Sequence, residues 1–219
     1  MDDTLRNMII ASIVLVLLAL YGGQTLGSWF FVSGEVEDTD SSNSLDFEAT
    51  FNLEGYEYEV SIRDGDSKEK EDGKIDYDDN DCSSPDYGGA SDCDELYDLM
   101  QGKIQNLLYV IILAGGAALF FLNDGDQEKG ALACLAMGSA GLLAVALFAM
   151  SFPEALDDDT EAFEMIDDDP SIIGDNNNFG EEFFGAPDSE VNWRPGFAFV
   201  LVGLSGIIGM AAYFELKKE

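Results

Sequence analysis

The chain has 219 residues, 44 acidic against 10 basic side chains, no histidine and 47% hydrophobic residues. Its formal charge of -34 is segregated from its apolar content, because four long apolar runs carry almost no charge and the acids lie between them. This pattern is typical of a polytopic membrane protein. The absence of histidine excludes imidazole catalysis and histidine-ligated metals, and the scarcity of basic residues argues against nucleic-acid binding.

The four apolar runs predict four transmembrane helices, since about 20 apolar residues cross the hydrocarbon core. Asp2 and Asp3 make a poor signal-peptide start, so the first run is predicted to stay uncleaved. The predicted fold class is an all-α four-helix membrane bundle with an extracellular antiparallel β-sheet. In chain order the predicted parts are the N-terminus and first helix 1–32, an acidic β-rich loop 33–105, the second helix 106–122, a turn 123–130, the third helix 131–152, a second acidic loop 153–195, the fourth helix 196–214 and a tail 215–219.

The distribution of charge predicts which loops face outward. Segment 33–105 holds 23 acids and 5 bases, and segment 153–195 holds 14 acids and 1 base. Four bases near span ends mark the other side: Arg6, Lys129, Lys217 and Lys218. The positive-inside rule therefore places both termini and the turn 123–130 in the cytoplasm of a multi-pass cell-membrane protein, with both acidic loops outside.

The first acidic loop predicts a sheet rather than a disordered tail. Apolar and polar residues alternate from Leu45 to Leu53 and again from Tyr56 to Ile62, with Glu54-Gly55 as a two-residue turn. Pairing Leu53 with Tyr56 puts the apolar side chains on one face and leaves no carboxylates directly opposite. Further strands are predicted near Val36 and Ile75.

The rest of the two loops is predicted in less detail. Segment 64–73 is predicted to be a charged, mobile turn. After Cys93, the spacing of five apolar residues predicts an amphipathic helix that leads into the second span; these are Leu96, Leu99, Met100, Ile104 and Leu107. Residues 153–166 are predicted to form a short helix. Phe179, Phe183 and Phe184 are candidates to dock on the sheet.

The spans contain no interior ionisable residue, which argues against a proton-coupled transporter. Their many small residues predict close helix packing, within the chain or between copies. Gln24 and Thr25 are interpreted as an interhelical hydrogen bond or as the outer end of the helix. Cys134 is interpreted as a small buried apolar residue.

The dense carboxylates allow two interpretations. Asp76, Asp78, Asp79 and Asp81 form a candidate cation site with ligands that suit calcium, although the EF-hand spacing fails. The alternative is a solvated surface adapted to external salt. No nucleophile, phosphate loop or serine-elbow motif is present, so we expect no enzymatic activity, and calcium is the sole candidate cofactor.

A sheet-forming outer loop with Cys82 and Cys93, a helix feeding the second span and two further spans resemble the claudin superfamily, which includes claudins, peripheral myelin protein and calcium-channel gamma subunits. Trp29 lies where that family has a tryptophan, and Cys93-Asp-Glu-Leu-Tyr-Asp-Leu-Met is similar to the stretch after the family's second cysteine. The resemblance implies a Cys82–Cys93 disulfide. The Gly-Leu-Trp motif before the first cysteine is missing, and residues 215–219 offer no scaffold-binding tail of the claudin type.

The resulting functional prediction is a structural or interaction protein that makes lateral or cell-to-cell contacts through its acidic loops. Its expected partners are the lipid bilayer and either a second copy or another membrane protein, with Trp29, Phe179, Phe183 and Phe184 as candidate interaction residues. The alternatives are an accessory subunit of a membrane channel, transporter or secretion complex, and an oligomeric cation-selective pore.

Overall fold

The computed structural model describes residues 3–37, 44–64, 67–77, 94–160 and 191–218. The chain divides into two compact units, which are described separately. The helical unit comprises Met1–Ser28, Gln101–Ala149 and Gly196–Glu219, and the sheet unit comprises Trp29–Met100 and Met150–Pro195.

Four helical stretches are long and apolar enough to cross a membrane, which confirms the predicted number of spans. They are Asp3–Tyr21, Asp94–Asn123, Gln127–Phe152 and Phe197–Leu216. Large apolar side chains on them are exposed, such as Leu113 at 72% and Phe120 at 67%. Such exposure is costly in water and favourable in lipid. The chain is therefore built as a multi-pass membrane protein.

The helices have the following bounds: α1 Asp3–Tyr21, α2 Gly23–Leu26, α3 Asp94–Tyr97, a π-helical stretch Asp98–Ile104, α4 Gln105–Asn123, α5 Gln127–Thr160 and α6 Phe197–Leu216. The predicted turn 123–130 is shorter in the structure, because only three residues separate α4 from α5. The Asp126 side chain caps α5, since its Oδ1 accepts a hydrogen bond from the Lys129 backbone N–H at 3.1 Å.

The first helical span ends earlier than the predicted boundary at residue 32. α1 stops at Tyr21, and Gly23, the first residue of the four-residue α2, adopts a positive φ of 66°. The chain is already a β-strand from Phe30 onward. Thr25 therefore lies at the end of the helical segment, which was one of the two interpretations of its polarity.

Small residues bring α5 and α6 into close contact, as the sequence predicts. A Cβ atom on Gly209 would lie 2.7 Å from the Cα atom of Gly138, and one on Gly206 would lie 2.8 Å from the backbone nitrogen of Leu142. Real Cβ atoms do not approach so closely, so these positions accept only glycine without a backbone shift. Close packing of this kind replaces the hydrophobic effect as the force between helices in lipid.

One polar contact lies inside the helical unit. The hydroxyl oxygens of Ser12 on α1 and Ser205 on α6 are 2.6 Å apart, and the Ser12 hydroxyl also donates to the Ser205 carbonyl at 3.1 Å. Both side chains are completely buried. Ser12 and Ser205 are the two buried polar side chains in the described part of the spanning helices. Each provides the other with a hydrogen-bond partner.

Five antiparallel strands form one sheet in the sheet unit. They are β1 Phe30–Glu37, β2 Ser44–Phe51, β3 Gly55–Asp64, β4 Ser67–Asp76 and β5 Val191–Pro195, in the order β4-β3-β2-β1-β5. The predicted antiparallel sheet is confirmed, and so are the additional strands at Val36 and Ile75.

The apolar face of the sheet has its core at the end where β1 begins. Phe30, Phe51, Tyr56 and Ile75 lie side by side in register on four strands, and none is more than 9% exposed. Phe152 of α5 covers this row, with ring centroids 4.8 Å from Phe30 and 5.4 Å from Phe51. Phe152, the last residue of the spanning part of α5, therefore covers the apolar face of the sheet.

The predicted hairpin pairing is wrong by two residues. The structure pairs Phe51, and not Leu53, with Tyr56. A shift of two residues keeps every side chain on its predicted face, because the side-chain period of a strand is two. It does place Glu48 directly opposite Glu59.

Asn52 explains the shift. Its Oδ1 accepts hydrogen bonds from the backbone N–H groups of Glu54 at 2.9 Å and Gly55 at 3.0 Å. The backbone N–H of Asn52 donates to the Gly55 carbonyl at 2.9 Å. The side chain therefore stabilises a turn at Leu53-Glu54, one residue earlier than the predicted Glu54-Gly55 pair, and moving the turn by one residue shifts the pairing by two.

Two other expectations about the loops change. Segment 64–73, predicted as a mobile turn, lies mostly in β4, an edge strand of ten residues. Its lysines and acids are typical of edge strands that resist pairing with other chains. β5 was not predicted at all, and it pairs with β1.

The predicted amphipathic helix before the second span is confirmed. Leu96, Leu99, Met100 and Ile104 are at most 1% exposed, so one face of the α3 and π-helical stretch is buried. The helix predicted for 153–166 is confirmed as far as Thr160, where it is the continuation of α5 rather than a separate helix.

Gly209→Ala should destabilise the protein by about 1–3 kcal/mol, because the added methyl group overpacks the contact with Gly138. The matched control is Gly203→Ala on the same helix, where a Cβ atom meets Val145 at an ordinary 3.6 Å. Thermal unfolding in detergent should show a lower midpoint for the first variant and little change for the second. Equal midpoints for both variants would contradict the close α5–α6 contact.

Candidate functional site

The strands present a second face, on which most of the described side chains are polar. We define the polar face as the described side chains that alternate with the apolar row: Phe31, Ser33, Asp46, Glu48, Thr50, Glu57, Glu59, Ser61, Lys70, Asp72, Lys74 and Arg194. Most of them are exposed or half-buried, and Ser61 is buried. The alternation of β-strand side chains thus turns the period-two sequence into one buried and one charged surface.

A lysine on the edge strand offsets the repulsion at the centre of this face. Glu48 and Glu59 lie directly opposite each other, which is unfavourable for two carboxylates. Lys70 Nζ lies 2.8 Å from Glu59 Oε2. The hydrogen bond to Glu59 raises the pKa of Lys70 above its ordinary value. β4 therefore supplies the counter-charge that the β2–β3 pair needs.

Lys74 and Asp76 form a second ion pair on β4. The Lys74 Nζ and Asp76 Oδ1 atoms are 2.5 Å apart, and this hydrogen bond raises the pKa of Lys74. Asp76 is the member of the candidate cation site that the structure describes, and its carboxylate is engaged by a lysine. Within the described ranges, no three acidic or cysteine side chains are grouped closely enough to hold a metal ion.

Arg194 of β5 lies at the opposite edge of the polar face. Its guanidinium carbon is 5.3 Å from the centroid of the Phe31 ring, and β5 places Arg194 in register with Phe31. The arginine side chain is exposed and the phenylalanine is half-buried. This is a cation–π arrangement, in which the ring face supports the cation.

The predicted site residues fall in three places. Trp29 is completely buried in the sheet unit, so its side chain is not on the surface. Cys134 is completely buried in α5, which confirms its interpretation as an apolar residue. The others lie outside the described residues: Asp78, Asp79, Asp81, Cys82, Cys93, Phe179, Phe183 and Phe184.

Two residues that shape the polar face, Lys70 and Arg194, were not predicted from the sequence to lie on a sheet. Lys70 was assigned to a turn, and Arg194 to a loop. The alternation over Val191–Pro195 is five residues long, which is too short to distinguish a strand from a loop.

No protein-family model matches the chain, and no curated protein matches it.

Lys70→Gln should lower the unfolding midpoint at low salt, because it leaves Glu48 and Glu59 facing each other without compensation. The difference from the unaltered protein should shrink toward 1 M salt, where the Debye length is about 3 Å. The pKa of Lys70 is raised above its ordinary value of 10.5 in the folded state. The contribution of Lys70 to folding stability is therefore fully present below pH 10.5 and is lost as the pH rises through the raised pKa.

Thermal unfolding between pH 7 and pH 11, at low and high salt, checks this prediction. In the presence of Glu59→Gln, the Lys70→Gln substitution should have a much smaller effect, as a double-mutant cycle would show. A difference that is independent of both salt and pH would refute the role given to Lys70.

Proposed function

We propose that the chain is a non-enzymatic membrane protein whose sheet makes protein–protein contacts, either lateral or between two membranes. The observation that carries the proposal is the polar face, a largely exposed surface on which the described acids outnumber the bases, in a chain with four helices long and apolar enough to cross a membrane. The predicted charge asymmetry of the loops places this face outside the cell, with both termini in the cytoplasm.

The claudin-like layout supports the proposal. The resemblance also implies a Cys82–Cys93 disulfide, which is part of the proposal. Four spans with an antiparallel sheet drawn from the segments between them are the features on which the resemblance was based. Membership of that superfamily is a proposal, as is a claudin-like role in adhesion.

Electrostatics determine which partner the face accepts. Two such faces repel each other at close range, because exposed carboxylates outnumber the bases. A second copy therefore requires cations between the faces, and calcium prefers carboxylate ligands. We infer contacts between copies that calcium bridges.

The test is clustering of liposomes that carry the purified protein, with and without millimolar calcium. Protease accessibility must first show that the sheet faces outward. We expect clustering with calcium and none without it. The triple variant Glu48→Gln, Glu57→Gln and Asp72→Asn should lose at least half of the calcium-dependent clustering, because it removes bridging carboxylates from the polar face.

The matched control neutralises acids in the turn between α4 and α5 and in the first turn of α5: Asp124→Asn and Glu128→Gln. Both side chains are exposed, and the predicted topology places them on the cytoplasmic side. The control should cluster like the unaltered protein. Clustering that is equal in all three proteins, or absent under every condition, would contradict contacts through the polar face.

A second candidate is an accessory subunit that binds a larger membrane protein through α4. Leu113 and Phe120 of this helix are highly exposed, and Gly116 between them has no atom within 4 Å of a built Cβ. This open groove would fit a helix of a partner. Co-purification of a stoichiometric larger membrane protein would favour this candidate, and Gly116→Leu should then reduce the yield of that partner.

A further inference from the structure

Arg194 is an unusual residue in its part of the sequence. Segment 153–195 holds 14 acidic residues, and Arg194 is its one base. In the described part of the chain, however, no acidic side chain forms an ion pair with it. Its guanidinium is supported by the Phe31 ring and is otherwise exposed. An exposed guanidinium without an ion pair in the described part of the chain is available to an anion from outside the chain.

The position of Arg194 along the chain indicates which anion. α6 begins at Phe197, and residues 194–196 precede it. The headgroup layer on each side of a bilayer is roughly 5–7 Å thick, and three extended residues cover at most about 10 Å. Arginine side chains also extend toward the interface while their apolar stems stay in contact with apolar surface. Arg194 therefore lies, along the chain, within reach of the headgroup layer at the start of α6.

The packing before α6 fixes where the helix starts. The Ala198 N–H donates to the Ser28 carbonyl at 2.8 Å, and a Cβ atom on Gly196 would lie 2.3 Å from that same carbonyl oxygen. The chain at Gly196 is thus closely held, and β5 fixes the residues just before it by pairing with β1. Arg194 is held on a strand and is not on a free loop.

We propose that Arg194, supported by Phe31, binds the phosphate group of a membrane phospholipid at the end of β5. A guanidinium offers a planar pair of N–H donors that matches two phosphate oxygens, which a lysine does not. The Phe31 ring holds the guanidinium from one side and leaves its N–H edges free. This inference does not depend on the proposed function, since it concerns one arginine at the end of β5 and not contacts between proteins.

The experiment measures lipid binding to the full chain in detergent, by native mass spectrometry and by thermal unfolding. The probes are phosphatidylglycerol and a galactolipid that has two acyl chains and no phosphate. We expect phosphatidylglycerol to bind and to raise the unfolding midpoint, and the galactolipid to do neither at the same concentration. Inorganic phosphate at millimolar concentration should neither bind nor displace the phospholipid, because the acyl chains contribute to binding.

Arg194→Gln should weaken phosphatidylglycerol binding about tenfold, since a charge-assisted bidentate pair is lost. Arg194→Lys should give an intermediate affinity, and it keeps the charge if the glutamine variant fails to fold. The matched control is Lys74→Gln, which removes a base from the far edge of the same face and should bind as the unaltered protein does. The proposal is overturned if Arg194→Gln or Arg194→Lys binds the phospholipid with unchanged affinity. It is also overturned if the galactolipid binds equally well, or if inorganic phosphate alone occupies the site.

Discussion

The change from helix to strand at Ser28 is the constraint on which the other elements depend. A backbone that leaves a membrane helix exposes N–H and C=O groups that lipid cannot satisfy. The Ser28 hydroxyl donates to the Thr25 carbonyl at 2.8 Å and accepts from the Phe197 N–H at 3.4 Å, while the Ser28 carbonyl accepts from Ala198. One buried serine thereby closes the end of α2 and the first turn of α6.

This closure brings two distant segments of the chain to the same point. Residues 28 and 197 are fixed together, and β1 and β5 are the strands that follow and precede them. Phe30 pairs with Pro195 as the first step of that ladder. β2, β3 and β4 then add to β1 in chain order, so the position of the whole sheet along its own strands follows from where β1 starts. A sheet that starts at fixed residues can present one buried and one charged face reliably.

Much of the fold could be predicted because its signals are local. Hydropathy gave four spans, alternation gave the β2–β3 hairpin and both of its faces, and the spacing of Leu96, Leu99 and Met100 gave the helix before the second span. The pairing within the hairpin could not be predicted, because it depends on two hydrogen bonds to the Asn52 side chain, and a turn at Glu54-Gly55 fits the same alternation equally well. The edge strand β4 could not be predicted, because its charged residues are typical of turns as well as of edge strands.

The polar face was predictable only in outline. Its acids follow from alternation, but the contacts of Lys70 with Glu59 and of Arg194 with Phe31 join strands through pairings that no local pattern encodes. Of the candidate residues chosen for their chemical type, the described part of the chain contains Trp29, which is buried, and Asp76, which is paired with Lys74. Residue type indicated charge and aromatic content, and the strand order determined which of these side chains meet.

The most direct test of the account is the sidedness of the polar face in intact cells. In a background with Cys82, Cys93 and Cys134 replaced by serine, Thr50→Cys reports on the polar face and Asp124→Cys on the turn between α4 and α5. A membrane-impermeant maleimide should label the first variant in intact cells and the second only after permeabilisation. Labelling of both cysteines from the same side would contradict a four-span protein with an external acidic sheet.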